Sequence, residues 1–125
     1  MKNIVYTFFL LIGISACSPK PQNAITSCFK GRLVKKGICG QRVIQLLSEP
    51  VDAIPMARNW TDSMSGKKYQ NVFTVANPCD FPAAVKEGED LTFSITTTPG
   101  SGCITCYAYT PVPGENNAIV IGCKE

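Results

Sequence analysis

The chain has 125 residues, 45% of them hydrophobic, with twelve Lys plus Arg against nine Asp plus Glu, a net charge of +3. An excess that small does not imply a nucleic-acid surface or a polybasic membrane patch, and neither partner is expected. The chain has no histidine, which excludes Ser-His-Asp and Cys-His hydrolases and removes the commonest general base and metal ligand. No catalytic residue, cofactor or metal site is therefore expected, and the function class that remains is a non-catalytic binding or structural module.

Met1, Lys2 and Asn3 make a short positive start, and residues 4–14 form an almost wholly apolar run that includes Phe8, Phe9, Leu10 and Leu11. Eleven residues are too few to span a bilayer, which needs about 20 in a helix, so the run reads as a secretory signal. It ends in Ile14-Ser15-Ala16-Cys17: aliphatic, small, small, Cys. This resembles the lipobox of bacterial lipoproteins. The resemblance implies cleavage before Cys17, a diacylglycerol on its sulfur and, in Gram-negative cells, an acylated amine. Each buried CH₂ contributes about 0.8 kcal/mol, so two or three chains hold firmly where one binds reversibly. Ser18 follows the cysteine, where an Asp, by resemblance to the enteric sorting rule, would retain the protein in the inner membrane; the expected location is the outer membrane, facing the periplasm.

Cleavage leaves 109 residues with eleven basic against nine acidic side chains, enough for one domain burying about two thirds of its unfolded surface. The expected organisation is a signal peptide over 1–16, a lipidated tether over 17–27 and a disulfide-containing barrel domain over 28–125. The tether, with Pro19, Pro21, Gln22 and Asn23, has no apolar period and reaches at most about 35 Å.

From Cys28 the pattern changes. Residues 29–34 and 38–47, separated by Lys35-Lys36-Gly37, read as two strands and a turn. Residues 48–70 carry Pro50, Pro55, Gly66 and the only Trp, Trp60; more than twenty residues without a period are either an active surface loop or conceal a short element. Residues 71–76, with Val72, Phe73 and Val75, resume strand character. Asp80 before Phe81-Pro82-Ala83-Ala84-Val85-Lys86 and Gly88 gives the order cap, early proline, helix formers, lysine, glycine of one or two helical turns. Leu91-Thr92-Phe93-Ser94-Ile95-Thr96 alternates as a half-buried strand does. Residues 104–109 and 118–122, on either side of Pro111, Pro113, Gly114 and two Asn, read as a closing hairpin.

The predicted fold is all-β, a small antiparallel barrel of five or six strands with one short helix before the fourth strand. That order, together with the charged lead Lys86-Glu87-Gly88-Glu89-Asp90 into Leu91, resembles an OB-fold, which is a small five-stranded barrel with its helix between the third and fourth strands.

Seven cysteines less a lipidated Cys17 leave Cys28, Cys39, Cys79, Cys103, Cys106 and Cys123, an even set that in an exported chain reads as three disulfides. Fifteen pairings are possible, and a final hairpin about Gly114 favours Cys106 with Cys123. Cys103-Ile104-Thr105-Cys106 is a C-x-x-C. On a strand, residues three apart are about 10 Å distant on opposite faces, so its members take different partners. The rival reading is a thiol-disulfide or zinc-binding protein using Cys103 and Cys106. Glu87, Glu89 and Asp90 read as a solvated turn.

Trp60 with Arg58 and Asp62, and with Asp52, Asn59 and Thr61 beside them, places an aromatic face among hydrogen-bonding groups, as in sites for small molecules, glycans or peptides. The competing reading is that Trp60 covers one end of the barrel. Asn59-Trp60-Thr61 is an N-glycan sequon, and Asp62-Ser63-Met64 resembles the acceptor of bacterial O-glycosylation systems, with Ser63 as the acceptor.

Overall fold

Residues 29–36 bury alternate side chains, Phe29, Gly31, Leu33 and Lys35, because a pleated strand turns successive residues to opposite faces. This is β1 (Phe29–Lys36), and the computed structural model, which describes residues 27–98, 100–103 and 106–124, continues with β2 (Arg42–Leu46), β3 (Ala57–Thr61), β4 (Lys68–Val75), a 3-10 turn (Pro78–Asp80), β5 (Asp90–Ile95), β6 (Asn116–Asn117) and β7 (Ile119–Ile121). Signal peptide, Cys17 and tether up to residue 26, together with Ile104 and Thr105 of the C-x-x-C, lie outside the described residues.

The protein is all-β. Among the described residues the strands number seven, rather than five or six, and the 3-10 turn is the only helical element. The sheet runs β3-β4-β2-β1-β5-β7, every neighbour antiparallel, with β6 added parallel to the end of β4. It does not close, but the last strands bridge its two sides: Thr74 N–H donates to Glu115 O and Ala76 N–H to Asn117 O on the β4 side, and Thr96 N–H to Ala118 O on the β5 side.

β1 carries a bulge at Val34, where the register with β2 shifts between Leu33 and Lys35. Bulges sharpen the twist of a strand, and this one turns the end of β1 towards the β3-β4 hairpin. The core is built from Phe29 and Leu33 of β1, Ile44 and Leu46 of β2, Phe73 and Val75 of β4, Phe93 of β5 and Ile119 of β7. Phe93 packs at 5.7 Å from Phe29 and edge-on at 5.6 Å from Phe73. Gly31 lies in this layer: a Cβ there would stand 2.8 Å from Ile44 Cγ2, 2.8 Å from a Phe93 ring carbon and 3.1 Å from the Gln45 carbonyl. Gly31→Ala is therefore expected to destabilise by about 1–3 kcal/mol through overpacking, read as a lower midpoint in urea at unchanged slope.

Two expectations are corrected, and the alternatives left open for residues 48–70 are decided in favour of a concealed element. The helical turns placed after Asp80 are instead one 3-10 turn that ends there, with Asn77 at its N-cap and Pro78 leading it. Proline disfavours the helical region for its predecessor, and Phe81, ahead of Pro82, is extended at φ −78° and ψ 130°. Residues 48–70 conceal β3 and the start of β4, and 106–109 form no strand. The closing hairpin accordingly gives way to β7 paired with β5.

The six cysteines pair as Cys28–Cys123, Cys39–Cys106 and Cys79–Cys103, with Cα separations of 5.7, 4.9 and 5.7 Å. The expected Cys106–Cys123 bridge is overturned, since the hairpin that would align those residues does not form. Cys103 and Cys106 take different partners, and the segment between β5 and β6 is a strap fastened at two points. Asp80 adds a third tie, its carboxylate accepting the Ser101 N–H at 3.2 Å. Hydrogen bonding from the Ser101 side chain, then from its backbone N–H, with a smaller contribution from Asn77, holds the Asp80 carboxyl below its ordinary value.

Candidate functional site

The β3-β4 hairpin organises the region singled out by sequence. Asp62 N–H donates to Lys67 O and Gly66 N–H to Asp62 O, at 2.8 and 2.7 Å. Gly66 takes a left-handed φ of 72°, which glycine adopts without steric cost. The Asp62 carboxylate accepts from Met64 N–H at 3.1 Å and from Ser65 Oγ at 2.9 Å, the side-chain-closed turn that Asp favours. The hairpin then sets Trp60 directly opposite Tyr69, their rings stacked at 5.9 Å.

Across from the hairpin tip, Lys35 Nζ donates to Asp62 Oδ1 at 2.6 Å, both side chains about nine-tenths buried, and lies 5.6 Å from the Trp60 ring. Burial by itself raises the Asp62 carboxyl, but the hydrogen bonds from Lys35, Met64 and Ser65 and the ammonium charge outweigh it, leaving Asp62 below the ordinary carboxylate range. The pair locks the hairpin tip to the end of β1.

The predicted trio is thereby divided. Trp60 lines an open groove of about 430 Å³ with Gln45, Asn59, Thr61, Lys68, Tyr69 and Gln70. Asp62, committed to Lys35 and its own turn, lines a separate cleft of about 280 Å³ between the hairpin tip, the end of β1 and the strap at Tyr109 and Thr110. Arg58 pairs with Asp52 at 3.2 Å in the open and lines neither. Ser63 is exposed in the turn. Gln45, Lys68, Tyr69 and Gln70 were not picked out by sequence reasoning; the signal was present in Gly66 at the close of a short loop between Trp60 and the alternating Lys68-Tyr69-Gln70, the mark of a hairpin.

The carboxylates of the 87–90 turn have structural partners. Glu87 accepts the Lys36 N–H at 2.6 Å, Glu89 the Lys86 N–H at 3.1 Å, and Asp90 is gripped by Arg32 at 2.6 and 3.3 Å, which lowers its pKa. Among the described residues, no three His, Cys, Asp or Glu are grouped to hold a metal ion. Comparison with known protein families, curated proteins and solved structures finds no match to this chain.

Proposed function

We propose that the chain is an exported lipoprotein, anchored through lipid on Cys17 to the outer membrane, whose β-domain faces the periplasm as a non-catalytic binding or structural module of the cell envelope. The observation that carries the reading is the pairing of cysteines. All six that follow residue 27 are joined in three disulfides, a usage that belongs to oxidising compartments. The seventh is Cys17, at the end of the lipobox-like Ile14-Ser15-Ala16-Cys17. An even set consumed in the fold and one cysteine left at the leader boundary match a lipid anchor followed by an extracytoplasmic domain. The partners implied are the membrane and a small-molecule, glycan or protein ligand, without nucleic acid.

The test is made in the native host. The wild-type protein is expected to begin at residue 17, to carry added diacylglycerol by intact mass, and to resist extraction by salt because multiple acyl chains hold it. Cys17→Ser is expected to abolish lipid addition and to leave the protein out of the membrane fraction. A wild-type chain that keeps Met1, or that loses no lipid on the substitution, overturns the proposal.

A further inference from the structure

β3 ends the sheet, and its phase against β4 fixes which of its backbone groups are left over. Asp62 N–H donates to Lys67 O at 2.8 Å, which makes Asp62 and Lys67 a hydrogen-bonded pair. Such pairs alternate with non-bonded ones along an antiparallel ladder, so Trp60–Tyr69 is bonded, whereas Thr61–Lys68, Asn59–Gln70 and Ala57–Val72 are not. The N–H and C=O groups of Ala57, Asn59 and Thr61 therefore point away from β4. Gln70 agrees with this phase: opposite Asn59, it turns its carbonyl away from β3, to the Gln45 amide at 3.3 Å. Among the described residues nothing bonds these outward groups.

Exposed edges invite pairing, and proteins commonly blunt them with proline, lysine, bulges or brevity. β3, Ala-Arg-Asn-Trp-Thr, has neither proline nor lysine and keeps one register with β4 throughout. β7, at the opposite end of the sheet, is only three residues long. The sequence of β3 also complements itself. A two-fold axis at Asn59 sets Asn59 against its own copy, Ala57 against Thr61 and Arg58 against Trp60, with opposed side chains on one face. An amide both donates and accepts, so Asn59 matches its copy, and a guanidinium is attracted to an indole ring. Only axes through a residue bring outward groups together. At Arg58 the axis would oppose two guanidinium groups, and at Trp60 it would set Arg58 against Asp62, which Lys35 already holds. The present partner of Arg58, Asp52, is exposed, and an exposed ion pair competes weakly.

We propose that two copies of this chain pair through β3, antiparallel about Asn59, joining their sheets by about six backbone hydrogen bonds. A foreign strand would be read through the backbone alone; the matched Arg58 and Trp60 and the self-matching Asn59 favour a second copy. The contact is short, so association is weak and reversible in solution. It stands apart from the lipid anchor, which would raise the local concentration of the copies.

Single cysteines test the register in the native host. In the pair, Asn59 lies about 5.5 Å, Cα to Cα, from its copy, inside the disulfide range, and Thr61 about 14 Å from its copy, well outside it. Under a mild oxidant Asn59→Cys is expected to give a reducible dimer on non-reducing gels, with at most about a tenth as much from Thr61→Cys. Both positions are exposed, and the melting temperature of each purified variant verifies that the fold is kept. Hydrogen exchange of the unsubstituted protein gives a second reading that no added thiol can disturb. The amides of Ala57, Asn59 and Thr61 are expected to slow as protein concentration rises, while that of Trp60, already bonded to β4, does not change. Cross-linking of both variants, of neither, or of Thr61→Cys alone overturns the pairing, as does exchange at Ala57, Asn59 and Thr61 that is indifferent to concentration. A foreign strand on the edge would keep the copies apart and give the result with neither variant cross-linked.

Discussion

Replacing Cys28 and Cys123 together by Ala is expected to destabilise the domain by about 4–5 kcal/mol, the largest effect of any of the three bridges. The bridge joins residues 95 apart, so it closes nearly the whole folded chain, and the entropy that a cross-link removes from the unfolded state rises with the logarithm of the loop it closes. Cys39–Cys106, with a separation of 67, follows at about 4 kcal/mol, and Cys79–Cys103, with a separation of 24, at about 3–4 kcal/mol. The loops are nested, so the three do not add. Urea unfolding of each Ala pair, read by the emission of Trp60, gives the order. A Cys28/Cys123 variant as stable as the parent would show that the ends of the chain are held by β1 and β7 alone. The native bridge has a local consequence as well: Gly122, at φ 93°, turns the chain beyond β7, and the Cys123 carbonyl accepts from Thr92 Oγ1 at 2.9 Å. The β5-β7 seam is thus held by covalent and hydrogen bonds together.

The elements that sequence made legible are those that bury one face. β1, β2, β4 and β5 each deliver Phe29, Leu33, Ile44, Phe73 or Phe93 to the core, and their apolar residues recur in the pattern that strand pleating demands. β3 escaped because it is an edge strand whose residues are exposed or half-buried throughout; an element without a core face writes no period. Core residues Ile54 and Met56 lie in irregular chain ahead of it, where alternation is no guide. The opposite error arose at Tyr107 and Tyr109. Aromatics two apart imitate a half-buried strand, yet both are fully or almost fully exposed, on a strap located by Cys39–Cys106 rather than by strand pairing. The separate surroundings of Arg58, Trp60 and Asp62 were illegible for a related reason. Proximity in sequence does not disclose that Asp62 meets Lys35, twenty-seven residues earlier, once the bulge at Val34 has turned β1 towards the hairpin.

That contact carries the second large effect. Lys35→Met is expected to cost about 3–5 kcal/mol, because it leaves the Asp62 carboxylate buried without its counter-ion; the bonds from Met64 and Ser65 place the result towards the lower figure. Removing the charge as well, in Lys35→Met/Asp62→Asn, keeps an acceptor for the turn and is expected to recover more than half of the loss, since a buried pair is costly chiefly when one partner is missing. The dependence on pH follows from the direction of the Asp62 shift. Its carboxyl titrates lower in the folded chain than in the unfolded one, so the stabilisation is complete above the ordinary carboxylate range near pH 4 and is lost as pH falls through the lower folded value. Lys35→Met removes the Lys35 hydrogen bond and charge that help to lower the Asp62 pKa and leaves the bonds from Met64 and Ser65 and the burial that raises it, so the difference in stability between parent and variant is expected to shrink as pH falls below 4. Thermal melts at pH 7, 5, 4 and 3 measure that difference. A gap that stays constant with pH would mean that Lys35 acts by filling space rather than by charge. Either way the same melts report on the β3-β4 hairpin, because the tip that Lys35 secures carries Trp60 and Tyr69, and a loosened tip should shift the emission of Trp60 before the domain unfolds.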